Sequence, residues 1–297
     1  MLPTTAGKIG RHGKRQPWLL LYNCQVMGLG NSLNLLSDEI DVEYYDPGSF
    51  RKQRKTILNR LQSYDRILVA PQLERELGEE WADHEQVWRV PTISFNAYHP
   101  DICYLLDSGN SLKGPLGDYH SLIAYAAFAC GLSEVRALAL YRESIYESLG
   151  YFQRWDHARK ALLDNFTDHG FDIGAKFVEW SRNGPFMYSF NHPRVHCVRD
   201  IAVAILARAG LAPVYRDALP HDNLANGPIF PVYPEIAARL GVDGSYLFKV
   251  GGKYQFIRLE EFVSESYRIY RDHPRIGIRP EFARMLDKAM DVIKAAQ

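Results

Sequence analysis

The chain has 297 residues, of which 46% are hydrophobic and 24% are charged, and its formal net charge is zero. These values are typical of a soluble globular protein, and a neutral chain gives no electrostatic basis for binding nucleic acid. The sequence contains no run of about 18 apolar residues, so we expect no membrane span.

The four cysteines form no CxxC pair and show no spacing typical of metal ligands. This pattern predicts free thiols in a reducing compartment and no metal site, and we expect a cytoplasmic protein. Residues 1–16 are basic and lack the apolar segment of a secretory signal, so we predict a disordered leader there.

The region from 17 to 105 alternates between strand and helix patterns. Predicted strands cover 18–22, 40–45, 66–70 and 92–95, and predicted helices cover 25–37, 51–64 and 73–87. Strands separated by helices indicate right-handed βαβ units and a mainly parallel sheet. We therefore predict an α/β region that ends near residue 105.

The region from 106 to 297 is predicted to be largely helical and to complete the site as one compact unit with the first region. Its predicted helices cover 120–131, 133–148, 155–166, 173–181 and 193–210. A hairpin is expected across Gly251–Gly252, because aromatic and aliphatic residues flank this pair on both sides.

Cys24 lies between the first predicted strand and the first predicted helix. Ligands bind at the carboxyl ends of strands in open α/β sheets, and a helix N-terminus favours a thiolate. The position therefore predicts a reactive cysteine. A buried, inert thiol at a strand end is the alternative, because free cysteine is among the most buried residue types.

Three histidines lie beside Pro, Ser or Asp at the ends of predicted elements, and each is a candidate base for a cysteine site. They are His99 and His120, which are favoured about equally, and His192, which comes third. Asp101, Asp118 and Asn191 are candidates to orient such a base, and Asn23, Gln25 and Asn96 are candidates to stabilise an oxyanion. Ser121 is a candidate to position the substrate. Each of these residues also has an ordinary structural interpretation, such as capping a helix.

Gly28 and Gly30 follow the first strand and suggest a phosphate-binding loop, although the full G-x-G-x-x-G pattern is absent. Arg51 and its basic neighbours, or Lys113, are candidates to bind a phosphorylated cofactor. A solvated helix face is the alternative for the basic run at 51–55.

Four short motifs, in this order, resemble the WcbI family of acetyltransferases of bacterial capsular polysaccharide biosynthesis. They are Tyr22-Asn23-Cys24-Gln25, Tyr98-His99-Pro100-Asp101, Gly117-Asp118-Tyr119-His120-Ser121 and Phe190-Asn191-His192-Pro193. Tyr22 stands where the family pattern favours glycine. The chain is also similar, more loosely, to SGNH hydrolases, which carry a nucleophile after the first strand of a flavodoxin-like sheet.

The resemblance implies an α/β enzyme that binds coenzyme A, or acetyl-CoA, and acetylates a sugar hydroxyl of a capsule precursor. It also suggests peripheral association with a capsule assembly complex. Two alternatives stay open at this point. One is a cysteine hydrolase or esterase of SGNH-like architecture, and the other is a glycosyltransferase or a non-catalytic glycan-binding component.

Overall fold

The structure, a computed structural model, describes residues 15–81 and 83–296. The predicted leader therefore lies outside the described residues, apart from its last two positions, and Gln16 begins the first strand. The α-helices of the described residues are α1 (Val26–Leu36), α2 (Pro47–Leu58), α3 (Leu122–Ala129), α4 (Glu134–Leu138), α5 (Glu143–Leu149), α6 (Arg154–Asp168), α7 (Gly174–Arg182), α8 (Val195–Arg208), α9 (Pro234–Leu240), α10 (Leu259–Asp272) and α11 (Ala283–Ala295).

The strands of the same residues are β1 (Gln16–Leu21), β2 (Ile40–Tyr45), β3 (Arg66–Val69), β4 (Val87–Arg89), β5 (Ile102–Cys103), β6 (Leu105–Asp107), β7 (Asn110–Ser111), β8 (His120–Ser121), β9 (Met187–Ser189), β10 (His192–Pro193), β11 (Leu247–Lys249), β12 (Phe256–Arg258) and β13 (Ile276–Ile278). The first four strands form one parallel sheet in the order β2-β1-β3-β4. The remaining strands form small antiparallel units. The predicted fold class, an N-terminal parallel sheet with helices and a largely helical C-terminal region, is confirmed.

The central strand β1 is buried along its apolar run, because the sheet is covered by other elements. Leu19, Leu20 and Leu21 are fully buried, and Leu20 lies opposite Tyr44 on β2 and Leu68 on β3. Continuous apolar runs are typical of parallel strands buried on both faces. Helix α1 packs against α8, so the C-terminal region contributes directly to the packing around β1.

The predicted helix over 73–87 is wrong. The chain instead forms short 3-10 helices over Pro71–Leu77 and Glu79–Trp81, and then the strand β4. Gly78 separates the two 3-10 helices with φ of +103°, a backbone conformation that an α-helix does not allow. The chain therefore reaches the sheet edge earlier than the sequence pattern suggests.

The predicted strand over 92–95 is also wrong, because β4 takes the fourth place in the sheet. Pro91 precedes this segment and has no amide hydrogen to donate. Ile93 bonds instead to the side chain of Gln25, and the Phe95 amide donates to the Phe190 carbonyl. The segment thus connects the start of α1 to the residues just before β10.

Other element boundaries differ from the predictions in ways that local chemistry explains. The turn signal at Asp46 is the start of α2, since its carboxylate accepts from the amides of Gly48 and Ser49. The helix predicted over 133–148 is divided into α4 and α5, although Ser133 caps the first of them as expected. The hairpin across Gly251–Gly252 is confirmed by the antiparallel pair β11 and β12.

Candidate active site

Cys24 lies in the short turn between the carboxyl end of β1 and the first turn of α1. Strand β2 lies on one side of β1 and β3 on the other, so this turn is at the switch point where open α/β sheets bind ligands. Cys24 is exposed, whereas Cys130 is half-buried and Cys103 and Cys197 are buried. Cys24 is therefore the cysteine of this chain that a ligand can reach directly.

The thiol of Cys24 is not the ready thiolate that its position predicts. Desolvation by the atoms packed around the sulfur raises the pKa of Cys24 to about 11, and the amides of Cys24 and Gln25 offset only part of this effect. Asn23 already uses two amides of the turn, since its side chain accepts from Gln25 and its carbonyl from Val26. The thiol is consequently protonated at neutral pH.

Gln25 is buried and joins the start of α1 to two distant segments. Its side-chain nitrogen donates to the carbonyls of Ile93 (2.8 Å) and Asn191 (3.1 Å), and its oxygen accepts from the Ile93 amide (3.2 Å). Both amide hydrogens are thereby used. This bonding argues against Gln25 as an oxyanion donor and makes it the residue that positions Asn191 beside the Cys24 turn.

A network of polar side chains surrounds the hydroxyl of Tyr119. The hydroxyl lies 2.6 Å from Asn191 Oδ1, 3.2 Å from His192 Nε2 and 3.0 Å from Ser189 Oγ. Asn191 Nδ2 donates to the hydroxyl of Tyr104 at 3.2 Å. His192 and Asn191, both predicted from sequence, are therefore brought together by Tyr119.

This network lies within electrostatic range of Cys24. Desolvation is the largest cause of the raised pKa values of Tyr104, about 12, and of Tyr119. In the alkaline range where the Cys24 thiol ionises, its charge raises both pKa values further. Tyr22, two residues before Cys24, is affected in the same direction. The thiol and the network of Tyr104, Tyr119, Ser189, Asn191 and His192 thus share one site, which we call the Cys24 site.

His192 is a neutral imidazole in this site. Burial lowers its pKa to about 4, so the ring is unprotonated at neutral pH. Its Nδ1 atom has no solvent-exposed surface and no hydrogen-bond partner among the described residues. A buried nitrogen without a partner is costly, and such atoms commonly mark a place where a ligand or water binds.

His99 and His120 are fixed by other contacts, deep in the fold. His120 Nε2 lies 3.0 Å from the Leu112 carbonyl and Nδ1 lies 3.3 Å from the Tyr270 hydroxyl. His99 bonds to the backbone of Phe230, and its ring meets the Phe230 ring edge-on. Desolvation lowers their pKa values, to about 3 for His99 and about 4 for His120. Nδ1 of His99, like that of His192, has no hydrogen-bond partner among the described residues. Both rings nevertheless contact Phe230, Leu112 or Tyr270 and not the Tyr119 network, which favours a structural role for both.

Asp101 and Ser121 also have structural partners. The Asp101 carboxylate accepts from the Ile123 amide and from the hydroxyls of Tyr151 (2.8 Å) and Tyr233 (2.6 Å). Ser121 caps α3 and bonds to the hydroxyl of Tyr141. Instead of orienting a catalytic base, Asp101 connects the start of α3 to two buried tyrosines.

The two glycines predicted to form a phosphate loop lie inside α1 and not in a loop. A Cβ added to Gly30 would lie 2.3 Å from the ring of Tyr44, and one added to Gly28 would lie 3.5 Å from Val198. Both glycines are buried. Close packing against Tyr44 explains Gly30 without a phosphate, whereas Gly28 makes only ordinary contact with its neighbours.

The structure gives partners for each of the remaining candidates. Arg51 is an exposed residue that pairs with Glu76. Lys113 pairs with Asp118 at 2.6 Å, and the charge of Asp118 acts on Tyr104 and Tyr119. For Asn96 the structure describes a backbone bond, in which its carbonyl accepts from the His99 amide.

Three residues of this region were not predicted from the sequence, namely Tyr104, Ser189 and Arg279. The guanidinium of Arg279 lies over the Tyr104 ring, 4.6 Å from its centre, and its charge lowers the pKa of Tyr104. Tyr119 lies in one of the four sequence motifs, but the predicted base in that motif was the neighbouring His120. No local pattern marks Arg279, because the fold brings it from a distant segment to the sheet edge.

Away from the Cys24 site, the described chain contains cavities. A cavity of about 460 Å³ lies between the end of α3 and α10, lined by residues that include Phe128, Leu132 and Tyr267. Within 15–81 and 83–296, no three His, Cys, Asp or Glu side chains are arranged to hold a metal ion. None of the helices described is both long and apolar enough to cross a membrane.

Comparisons with known proteins agree with this architecture. The family model described as the polysaccharide biosynthesis enzyme WcbI matches residues 18–214. A solved structure of WcbI, described as a novel polysaccharide biosynthesis enzyme and as native protein without a disulfide bond between coenzyme A and a cysteine, is similar with a TM-score of 0.63 at 14% identity. The match covers 95% of this chain and 98% of that one. No curated protein matches the sequence.

Proposed function

This chain belongs to the WcbI family of polysaccharide biosynthesis enzymes, and we propose that it transfers an acetyl group from coenzyme A to a sugar hydroxyl of a capsule precursor. The observation that carries this proposal is the exposed Cys24 thiol at the switch point of the sheet, coupled to the Tyr119 network. The description of the similar structure names coenzyme A together with a cysteine. A cytoplasmic reaction is part of the proposal, as is association with a capsule assembly complex.

The residues of the Cys24 site fit an acyl-coenzyme A. Bound there, the thioester supplies a carbonyl carbon that a hydroxyl can attack. Arg279 and Lys113 are the cations that we assign to its phosphates, since the charge of Arg279 and that of the Lys113 partner Asp118 both act on Tyr104. Arg51 and Lys113 are both in ion pairs, with Glu76 and Asp118. Asp118 acts on Tyr104, which supports Lys113 over the helix α2 candidate.

We assign Cys24 a positioning role beside the thioester and not that of a covalent nucleophile. Its raised pKa supports this assignment, because a thiol that is protonated at neutral pH is a weak nucleophile. Direct attack by the sugar hydroxyl then needs a base, and His192 is neutral and has a free nitrogen. His99 also has an Nδ1 without a partner among the described residues, but its ring lies against Phe230, and His120 is bonded to Leu112 and Tyr270. The contact of His192 with Tyr119 in the Cys24 site supports His192 over both.

A transfer assay with isotopically labelled acetyl-CoA and a panel of capsular sugars tests the function. The expected product is a sugar ester, with kcat lowered by about 10²–10⁴-fold in H192N. C24A should retain part of the activity, because no acyl-enzyme is required. C130A is the matched control, since Cys130 is half-buried and outside the site, and it should behave as wild type.

Three results, one from this assay and two from separate measurements, would contradict parts of the proposal. Free acetate formed without any sugar ester would favour the hydrolase alternative. If calorimetry detects no binding of coenzyme A at millimolar concentration, the assignment of coenzyme A as the cofactor is wrong. An acetyl group found on Cys24 by intact-mass measurement, together with inactive C24A, would replace the positioning role by a covalent one.

A further inference from the structure

The hydroxyl of Tyr119 is the centre of the polar network, and its single proton decides how the network is bonded. Its oxygen lies 2.6 Å from Asn191 Oδ1. Two oxygens approach this closely only with a hydrogen between them. The amide oxygen of Asn191 has none to give, so the proton of Tyr119 lies on this bond.

The proton of Tyr119 is then unavailable to His192. The contact between Tyr119 and His192 Nε2, at 3.2 Å, must be made by a hydrogen on Nε2. A neutral imidazole carries one hydrogen, so Nδ1 has the free lone pair. This agrees with the absence of a partner for Nδ1 among the described residues, since a buried N–H would leave a donor unsatisfied.

We propose that Tyr119 and Asn191 hold His192 in its Nε2–H tautomer, so that Nδ1 is the atom that accepts the proton of the sugar hydroxyl. Tyr119 is therefore a positioning residue, and it acts through His192. This inference rests on the proposed function for the identity of the reaction, but the tautomer itself can be measured without any substrate.

The proton transfer is balanced within one acyl transfer. The hydroxyl proton passes to Nδ1 as the sugar oxygen forms a bond to the thioester carbonyl carbon. The carbon–sulfur bond then breaks, and the proton on Nδ1 passes to the departing sulfur. While Nδ1 carries the proton, the Nε2 hydrogen stays directed at the oxygen of Tyr119, which stabilises the positive charge on the ring.

The turn that ends at Gly227 packs against the His192 ring. A Cβ added to Gly227 would lie 3.7 Å from Nδ1, an ordinary van der Waals contact, and 3.2 Å from the Leu224 carbonyl. Lys249 holds the turn by donating to the carbonyls of Asn226 and Gly227. Because Nδ1 is buried, a sugar hydroxyl can reach it only after this turn moves, and we include that movement in the proposal.

Nitrogen-15 NMR of the histidine rings tests the tautomer directly. In long-range proton–nitrogen spectra of the unliganded wild type near neutral pH, Nε2 of His192 should resonate as a protonated nitrogen and Nδ1 as an unprotonated one. The H192N spectrum assigns the signals. A protonated Nδ1, or an even mixture of tautomers, would overturn the proposal.

Two variants separate the roles of the network members. Y119F removes the acceptor of the Nε2 hydrogen, and the His192 signals should move towards an average of the two tautomers. S189A is the matched control, because Ser189 also bonds to Tyr119 but is not needed to fix its proton. S189A should keep the wild-type pattern, and a Y119F spectrum that also keeps it would contradict the positioning role.

The kinetic readout is distinct from the spectroscopic one. In Y119F we expect kcat to fall roughly tenfold or more with little change in KM, since positioning of a base acts on the chemical step. G227A should lower kcat with the tautomer unchanged, because the added methyl group covers Nδ1. If the wild type transfers no acetyl group, the proposed function fails while the tautomer result stands. If Y119F changes the tautomer but neither Y119F nor G227A changes kcat, Nδ1 is not the base.

Discussion

The side chain of Gln25 pairs with the backbone of Ile93 through both its nitrogen and its oxygen, much as one strand pairs with another. This contact holds the segment after β4 against the start of α1, and the same nitrogen reaches the Asn191 carbonyl. The geometry of the Cys24 site therefore depends on a residue that need not touch a substrate.

We predict that Q25E destabilises the protein by at least about 2 kcal/mol, because a buried carboxylate would face two carbonyl oxygens without a hydrogen to donate. Urea denaturation followed by fluorescence measures the change. Q72E, at an exposed glutamine, is the control and should lie within about 0.5 kcal/mol of wild type. Equal stability of Q25E and Q72E would show that the Gln25 contacts are not made.

The two glycines of α1 should respond in opposite ways to substitution by alanine. G30A forces the ring of Tyr44 to move and should cost about 1–3 kcal/mol. G28A makes only ordinary contact with Val198 and gains helix propensity, so it should be neutral or stabilising by up to about 1 kcal/mol. Coenzyme A affinity should be unchanged in G28A. A large loss of affinity there would restore the phosphate-loop interpretation.

Alkylation by iodoacetamide should report the raised pKa of Cys24. Because only the thiolate reacts, the rate at Cys24 should rise about tenfold per pH unit from neutral to about pH 10, without levelling near 9. Peptide mapping follows Cys24, and C24S gives the background at the other cysteines. A rate that is already constant above neutral pH would mean that the pKa of Cys24 is low, because the helix N-terminus then affects the thiol more than desolvation does.

Asp101 should make stability fall as pH rises through the mildly acidic range. Burial raises its pKa from 3.8 to about 6, so the folded protein holds a proton that the unfolded chain has released between these values. D101N does not titrate there. The loss of stability in D101N should thus be larger near pH 4 than near pH 7.5, by roughly 2 to 3 kcal/mol. An equal loss at both values, measured by denaturation, would contradict the raised pKa.

The sheet was predicted from the sequence better than the site. The apolar runs of β1 and β3 are local signals of buried parallel strands. The helix predicted over 73–87 fails because Gly78 has a positive φ, which hydrophobic periodicity does not reveal. The fourth strand was misplaced for the same reason.

The histidines show why the site was predicted only in part. His99, His120 and His192 have similar neighbours in sequence, and His192 was the least favoured of the three as the base. Only the fold separates them, since Gln25 is bonded to Asn191 across 166 positions while His120 is bonded to Leu112 and Tyr270. Contacts of this range leave no trace in a single sequence.

Reaction with coenzyme A disulfide tests most directly the claim that the Cys24 site binds coenzyme A. The native chain is incubated long enough for the slow exchange expected of a thiol with a raised pKa, and the modified cysteine is mapped by peptide mass. We expect a mixed disulfide on Cys24, prevented by excess acetyl-CoA and absent from Cys130. Modification of another cysteine, or modification of Cys24 that acetyl-CoA does not prevent, would contradict it.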